Sequence, residues 1–144
     1  MPERPPAPQL WDYPHKMTDN IRFADLDVQN HVNNVAIATF FESGRVGFSR
    51  DPVQGFSVPG ARIALRRIEI DYLAEMSFPG QVTIATRVKR LGTTSLALDH
   101  ALFIGEKCTA TAVSTLVLLD PKTHRPRPFP DDVAIKLRAA AGTG

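Results

Sequence analysis

Apolar and polar residues alternate along Thr18 to Ala24, most clearly in Ile21-Arg22-Phe23-Ala24, and a two-residue period predicts a half-buried strand. From Val32 to Phe48 the period changes. Val35, Ala36, Ile37, Phe40, Phe41, Gly44 and Phe48 make this run apolar on nearly all sides, which predicts a helix enclosed by other structure. Pro52, Gly55, Pro59 and Gly60 punctuate a loop from Ser49 to Gly60. Alternation resumes over Ala61 to Leu73, where Ile63, Leu65, Ile68 and Ile70 interleave with charged residues. It slips between Leu65 and Ile68, the mark of a bulge. After Pro79-Gly80, strands are predicted over Val82 to Leu91, Ser95 to Ile104 and Thr109 to Leu119. Turns at Gly92-Thr93-Thr94 and Gly105-Glu106-Lys107 join them. The last strand is nearly continuous in small and β-branched residues, as a central strand is. A short helix over Asp131 to Arg138 opens on two carboxylates suited to its N-terminus.

The order strand, helix, four antiparallel strands is an α+β arrangement, a sheet wrapped around one long helix. Residues 1–14 read as a flexible proline-rich arm, with Trp11, Tyr13 and Pro14 able to pin it, and residues 15–144 as a single domain. Composition adds little. With 43% hydrophobic and 22% charged residues the chain is an ordinary globular domain, and a net charge of +2 gives no argument for nucleic acid. No run reaches a membrane span, and MPERPPAPQL has no apolar signal segment. The single cysteine, Cys108, excludes an intrachain disulfide and fits a cytoplasmic location. The four histidines are scattered, so no metal-ligand spacing is present and no cofactor is expected.

One stretch breaks the pattern. Asp25, Asp27, Gln29, Asn30, His31, Asn33 and Asn34 crowd the entrance of the apolar helix, where polar groups need partners. This segment, Asp-Leu-Asp-Val-Gln-Asn-His-Val-Asn-Asn followed by Phe-Glu-Ser-Gly-Arg, resembles the hotdog-fold thioesterases of the 4-hydroxybenzoyl-CoA thioesterase superfamily. It is most similar to the branch reading D-x-x-x-H-V-N-N, which includes the plant-type acyl-ACP thioesterases. The resemblance covers about Met17 to Pro130. It implies a hotdog fold, a homo-oligomer of two or four copies, and hydrolysis of an acyl thioester.

Thioester hydrolysis needs a polarised carbonyl and a nucleophile. A helix N-terminus supplies free N–H groups and partial positive charge, here around Val32 to Asn34, with the N–H groups of Asn33 and Asn34 as the oxyanion donors. Asp27, just before it, is the candidate nucleophile or general base, and otherwise a helix cap. His31 would orient the carboxylate or shuttle a proton, and otherwise bonds the loop backbone. In the acyl-ACP branch an asparagine of Asp-Val-Asn-x-His belongs to the catalytic network. Gln29 holds that position here, and Asn30 stands where many members have glycine. Glu75, in Asp71-Tyr72-x-x-Glu75, matches the second-strand acid of that branch, which some relatives take from the neighbouring subunit.

Asp25 reads as structural, Glu42 and Arg45 at i,i+3 spacing as an ion pair within the chain or across a dimer, and Cys108 as an inert core residue. Arg87, Lys89, Arg90, Thr93, Thr94 and Ser95 surround the turn that lies near the pantetheine arm in relatives, and Arg62, Arg66 and Arg67 form a second basic group. Phe40, Phe41 and Phe56 are candidate acyl-pocket residues. Hydrolysis of an acyl-CoA is the leading reading. An acyl-ACP thioesterase, a hotdog hydratase or dehydratase, and a non-catalytic acyl-thioester binding protein stay open.

Overall fold

The computed structural model describes residues 8–142, so the flexibility expected of residues 1–7 lies outside it. Five strands, β1 (His15–Ile21), β2 (Arg62–Tyr72), β3 (Gly80–Leu91), β4 (Ser95–Ile104) and β5 (Lys107–Leu119), form one antiparallel sheet in the order β1-β3-β4-β5-β2. Helix α1 (Asn34–Ser49) follows β1, and α2 (Asp131–Gly142) ends the described chain. The α+β expectation holds. β1 is displaced from its expected place: it starts at His15, opposite Thr86, and stops at Ile21, opposite Gly80. Phe23 to Asp25 instead form a 3-10 turn. The cause is Asp25, whose carboxylate accepts from the Arg22 N–H at 2.8 Å while its own N–H donates to the Arg22 carbonyl at 2.9 Å.

The bulge between Leu65 and Arg67 is present. Leu65 opposes Leu116 and Ile68 opposes Ser114, so the extra residue keeps Ile63, Leu65, Ile68 and Ile70 on one face of β2.

Helix α1 lies on the face of the sheet built by Val82 and Ile84 of β3 and Leu102 of β4, with Ile37, Phe40 and Phe41 turned into that core. Gly44 permits the close approach: a Cβ there would stand 2.5 Å from Ile84 Cγ2. Farther along, Phe48 packs with Leu96, Leu98 and Leu118 under Leu137 of α2. Beneath α1, the fully buried His100 ring pairs with Thr86 Oγ1 at 3.1 Å and Ser114 Oγ at 2.7 Å. Burial holds its pKa down at about 3, so the ring is neutral.

On the opposite face the arm is docked from Leu10 onward. Tyr13 is buried against Phe103, whereas Trp11 is 67% exposed and pins nothing.

The expected full enclosure of α1 is not met within one chain. The helix rests mainly on β1, β3 and β4 and leaves most of β2 exposed, with only Ala64, Ile68 and Ile70 half-buried. Val46 on α1 and Ile63 and Leu65 on β2 are therefore exposed around one cavity, and Tyr72 is exposed at the end of β2. β2 is also an outer strand, so its far edge presents backbone N–H and C=O groups to the surroundings.

Candidate active site

The segment between β1 and α1 is a tight loop organised by Asp27. Its Oδ1 accepts from the N–H groups of Gln29 at 2.8 Å and His31 at 3.2 Å. Its own N–H donates to the His31 carbonyl at 2.9 Å, and its carbonyl accepts from Asn30 at 3.1 Å. Turning the chain this sharply puts Asn30 at φ +63, the left-handed region that asparagine tolerates better than most residues. That accounts for an asparagine at a position where glycine also fits. The Asp27 carboxylate remains exposed, its second oxygen uncommitted among the described residues.

Asn33 caps α1, its side-chain oxygen accepting from Ala36 N–H at 2.7 Å. Its own N–H donates to the Asp25 carbonyl at 2.8 Å. Asn33 is thus not a free donor, which corrects the expectation made for it. Among the described residues the N–H groups without a protein acceptor at this end are those of Asn34 and Val35. Val35 was missed because the helix was expected to start at Val32. An Asn-Asn pair before an apolar run marks a cap, and reading it so would have moved the start by two residues.

Val32 N–H donates to the Met76 carbonyl at 2.9 Å, tying the loop to the segment after β2. That link brings the His31 ring to Glu75 of the same chain, Nε2 to Oε2 at 3.1 Å, with His31 half-buried and Glu75 exposed. The Gln29 side chain has no partner among the described residues. A cavity of about 250 Å³, lined by Val32, Ile37, Tyr72 and Glu75, opens beside this pair.

The other expected residues fall elsewhere. β3 carries its twelve residues from Gly80, beside the Asp27 loop, to Leu91, a span of ~36 Å at about 3.3 Å per residue. Lys89, Arg90, Thr93, Thr94 and Ser95 therefore sit at the far end of the sheet from Asp27. Arg87 is structural, a second correction: its guanidinium stacks 4.8 Å above the Tyr13 ring and bonds Asp99 at 3.3 Å. Burial pushes the Tyr13 phenol up to about 12 despite that cation. Thr93 and Thr94 give their carbonyls to Phe129 and Leu118 N–H, which fixes the hairpin tip against β5 and the segment beyond it. Arg67 pairs with Glu69 at 3.1 Å on the exposed surface.

Glu42 and Arg45 make no ion pair with each other within the chain. Glu42 faces solvent, while Arg45 turns inward and buries an unpartnered Nη1. Of the three phenylalanines, Phe56 lines a cavity between α1 and β2, Phe40 a cavity on the other flank of α1, and Phe41 is wholly core. The Cys108 thiol is buried and donates to the Ala110 carbonyl at 3.6 Å, and burial raises its pKa. Among the described residues no group of three His, Cys, Asp or Glu side chains converges as a metal site requires. Nor is any described helix long and apolar enough to cross a membrane.

A sheet wrapped on a helix, with a carboxylate loop and a His–Glu pair at the helix entrance, defines a protein of the hotdog class, and comparison with known proteins agrees. The model of the thioesterase-like superfamily matches residues 21–137, and the chain belongs to that family. It is 26% identical to the PA5185 protein of Pseudomonas aeruginosa strain PAO1, over 94% of this chain and 96% of that one, with a TM-score of 0.78. A thioesterase of Thermus thermophilus, complexed with coenzyme A and zinc, is 27% identical over 90% of this chain and 96% of its own, with a TM-score of 0.75. A DHNA-CoA thioesterase from Staphylococcus aureus is 18% identical over 90% and 93% of the two chains, at a TM-score of 0.78, and shows the shared fold. No protein of curated function matches the chain.

Proposed function

We propose that the protein hydrolyses acyl-CoA thioesters in a reducing, cytoplasmic compartment, with Asp27 as the group that attacks the thioester carbonyl or deprotonates the attacking water. The observation that carries this reading is the pair of unpaired N–H groups, Asn34 and Val35, at the start of α1, next to a loop that presents a free carboxylate oxygen. A thioester oxygen held by those donors gains negative charge where the helix end is positive. Addition of water to the carbonyl carbon breaks the C–S bond, and the thiolate leaves with the proton taken from the water. His31, held by Glu75, stands ready to relay that proton. The membership of the thioesterase-like family and a CoA-bound relative support the substrate class.

A homodimer joined through β2 would complete the site. β2 has a free edge, and the cavity beside it is apolar at Val46, Ile63 and Leu65. Antiparallel pairing of two β2 edges about a two-fold axis sets the Arg62 end of one copy beside the Tyr72 end of the other. Each hairpin carrying Lys89, Arg90 and Thr93 to Ser95 then lies on the side of the other copy's Asp27. The lateral separation is about three strand spacings, ~15 Å, within reach of a CoA arm.

The experiment is thiol release from acyl-CoAs running from acetyl to palmitoyl, with benzoyl and phenylacetyl included, for wild type and Asp27→Asn. Turnover that disappears in the variant is expected. Turnover confined to acyl carrier protein thioesters would move the substrate class, and acyl-CoA binding without any thiol release would overturn the enzyme reading. Coexpression of Asp27→Asn with Lys89→Glu/Arg90→Glu tests the shared site. Each mixed dimer keeps one intact site, so about a quarter of wild-type activity should return. No recovery, with dimers present, would refute the exchange.

A further inference from the structure

The chain between β5 and α2 carries positive charge that the proposed site leaves unused. Lys122, His124 and Arg125 are exposed on a turn of residues 120–126. The turn is tightly built. Asp120 Oδ1 accepts from the N–H groups of Lys122 at 2.9 Å and Thr123 at 3.0 Å. The Asp120 carbonyl accepts from His124 N–H, and the Asp120 N–H donates to the Arg125 carbonyl, both at 2.9 Å. His124 is held at φ +59, a left-handed conformation that costs free energy in a residue with a Cβ. The side chains of Lys122, His124 and Arg125 contribute nothing to this network, and among the described residues none of them forms an ion pair. A turn fixed through its backbone and presenting unpaired cations can receive an anion with little further loss of freedom.

The neighbours of the turn extend the same charge. Leu118 N–H donates to the Thr94 carbonyl at 2.9 Å and Phe129 N–H to the Thr93 carbonyl at 3.3 Å, so both ends of the turn stand beside the tip of the β3–β4 hairpin, near Lys89 and Arg90. Arg127 Nη1 donates to the Gly60 carbonyl at 3.4 Å and ties the turn to the start of β2. Of the carboxylates at this end, Asp120 is committed to the N–H groups of the turn, and Asp131 and Asp132 open α2. At the Asp27 end of the sheet the exposed acids Asp19, Asp71, Glu75 and Glu106 outnumber Arg22 and Lys107. A multiply charged anion is repelled from that end and drawn to the other. We propose that Lys122 and Arg125, with Lys89 and Arg90 of the hairpin, bind the phosphorylated adenosine end of coenzyme A. Arg125 can grip a phosphate through two N–H groups, and Lys122 supplies a compact point charge. Two-fold pairing of β2 sets this end of one copy beside Tyr72 of the other, so the nucleotide held by one copy belongs to the thioester in its partner's site. The inference rests on the acyl-CoA reading above and assigns where the phosphates of that carrier bind.

Titration calorimetry with adenosine 3′,5′-bisphosphate tests the site directly, on wild type, Lys122→Glu, Arg125→Glu and Lys107→Glu, the last reversing one exposed charge at the Asp27 end. Wild type should bind the bisphosphate. Each variant of the turn should weaken binding by about tenfold or more, as loss of one charge-assisted hydrogen bond implies, and Lys107→Glu should not. Lys122 and Arg125 are exposed, so melting temperatures should stay at the wild-type value. Thiol release then compares the best acyl-CoA of the panel above with the matching acyl-pantetheine, which has the same thioester and no nucleotide. In wild type KM should be about tenfold or more lower for the acyl-CoA, and in Lys122→Glu/Arg125→Glu the ratio should approach one. Failure of wild type to bind the bisphosphate, equal weakening by Lys107→Glu, or a wild-type KM ratio near one overturns the inference and leaves the thioesterase reading standing. If no acyl-CoA is hydrolysed, the thioesterase reading fails and calorimetry alone decides the site. Turnover of acyl carrier protein thioesters that weakens in Arg125→Glu, without binding of the bisphosphate, would make an acidic protein surface the occupant and overturn the nucleotide assignment.

Discussion

Replacing Asp27 by asparagine separates chemistry from architecture at one atom. The loop uses Oδ1 of Asp27 to accept two backbone N–H groups, and an asparagine retains an oxygen that can do the same. What it loses is the charge and the basic second oxygen. The fold should therefore change by less than ~1 kcal/mol, the net worth of one hydrogen bond in a solvent-accessible loop. A positioned base or nucleophile contributes about 10²–10⁴ in rate. A loss near 10³ in kcat corresponds to ~4 kcal/mol of transition-state stabilisation. Thiol release measured with the preferred acyl-CoA gives kcat, and thermal denaturation of the same preparation gives stability. Asp27→Ala, which also removes the acceptor, should lose a similar factor in kcat and melt lower by ~1 kcal/mol of stability. If Asp27→Asn melts like wild type and keeps more than about a tenth of kcat, Asp27 is a loop-forming residue and the assignment of chemistry to it is wrong.

Glu75→Gln keeps a side chain able to meet His31 and removes its charge, so kcat should fall by about 10–100-fold, less than for Asp27→Asn; unchanged kinetics would make the pair a surface contact. His100 tests a pH dependence. Its folded pKa, about 3, is below the unfolded value of 6.5, so the unfolded chain binds the extra proton and stability falls as pH drops from 6.5 towards 3. The ceiling is ~5 kcal/mol at about 1.4 kcal/mol per pH unit, and denaturant melts of His100→Gln should show a visibly flatter profile over that range. Gly44→Ala should cost about 1–3 kcal/mol, because the new methyl group meets Ile84 at 2.5 Å and pushes α1 off β3; an unshifted melting temperature would show that the contact relaxes freely. Arg87→Leu should weaken docking of Tyr13 by about 1 kcal/mol while KM for acyl-CoA stays unchanged, and a raised KM would restore the substrate-binding role first expected of Arg87.

Local pattern carried most of the secondary structure. The slip between Leu65 and Ile68 became a bulge because Ile68 had to rejoin Leu65 on one face. The limits of β4 are those its alternation predicted, since turns on both sides pin them. The polar cluster from Asp25 to Asn34 was legible as a site for the same reason that it is costly. Amides and carboxylates at a helix entrance must satisfy the loop, the helix end or a ligand. The displacement of β1 was not legible, because one Asp25 hydrogen bond outweighed the alternation of Phe23 and Ala24.

The rest depended on distant residues. Arg87 alternates like a solvent-facing strand residue, yet Tyr13, far away in sequence, covers it. Arg45 has a carboxylate at ion-pair spacing on its own helix, yet it turns into the core, because α1 leaves room over β2 and the guanidinium stem packs there. Asn33 has the sequence of a helix-end donor, yet the returning Asp25 carbonyl takes its proton. Sequence by itself determined the elements, their faces and the chemical character of the loop, because these follow from the backbone period and the side-chain types. Tertiary structure alone decided which N–H groups remain free, where Glu75 meets His31, and that β2 ends the sheet beside an open groove. Those depend on strand order and on contacts between residues far apart in the chain, which no local period encodes.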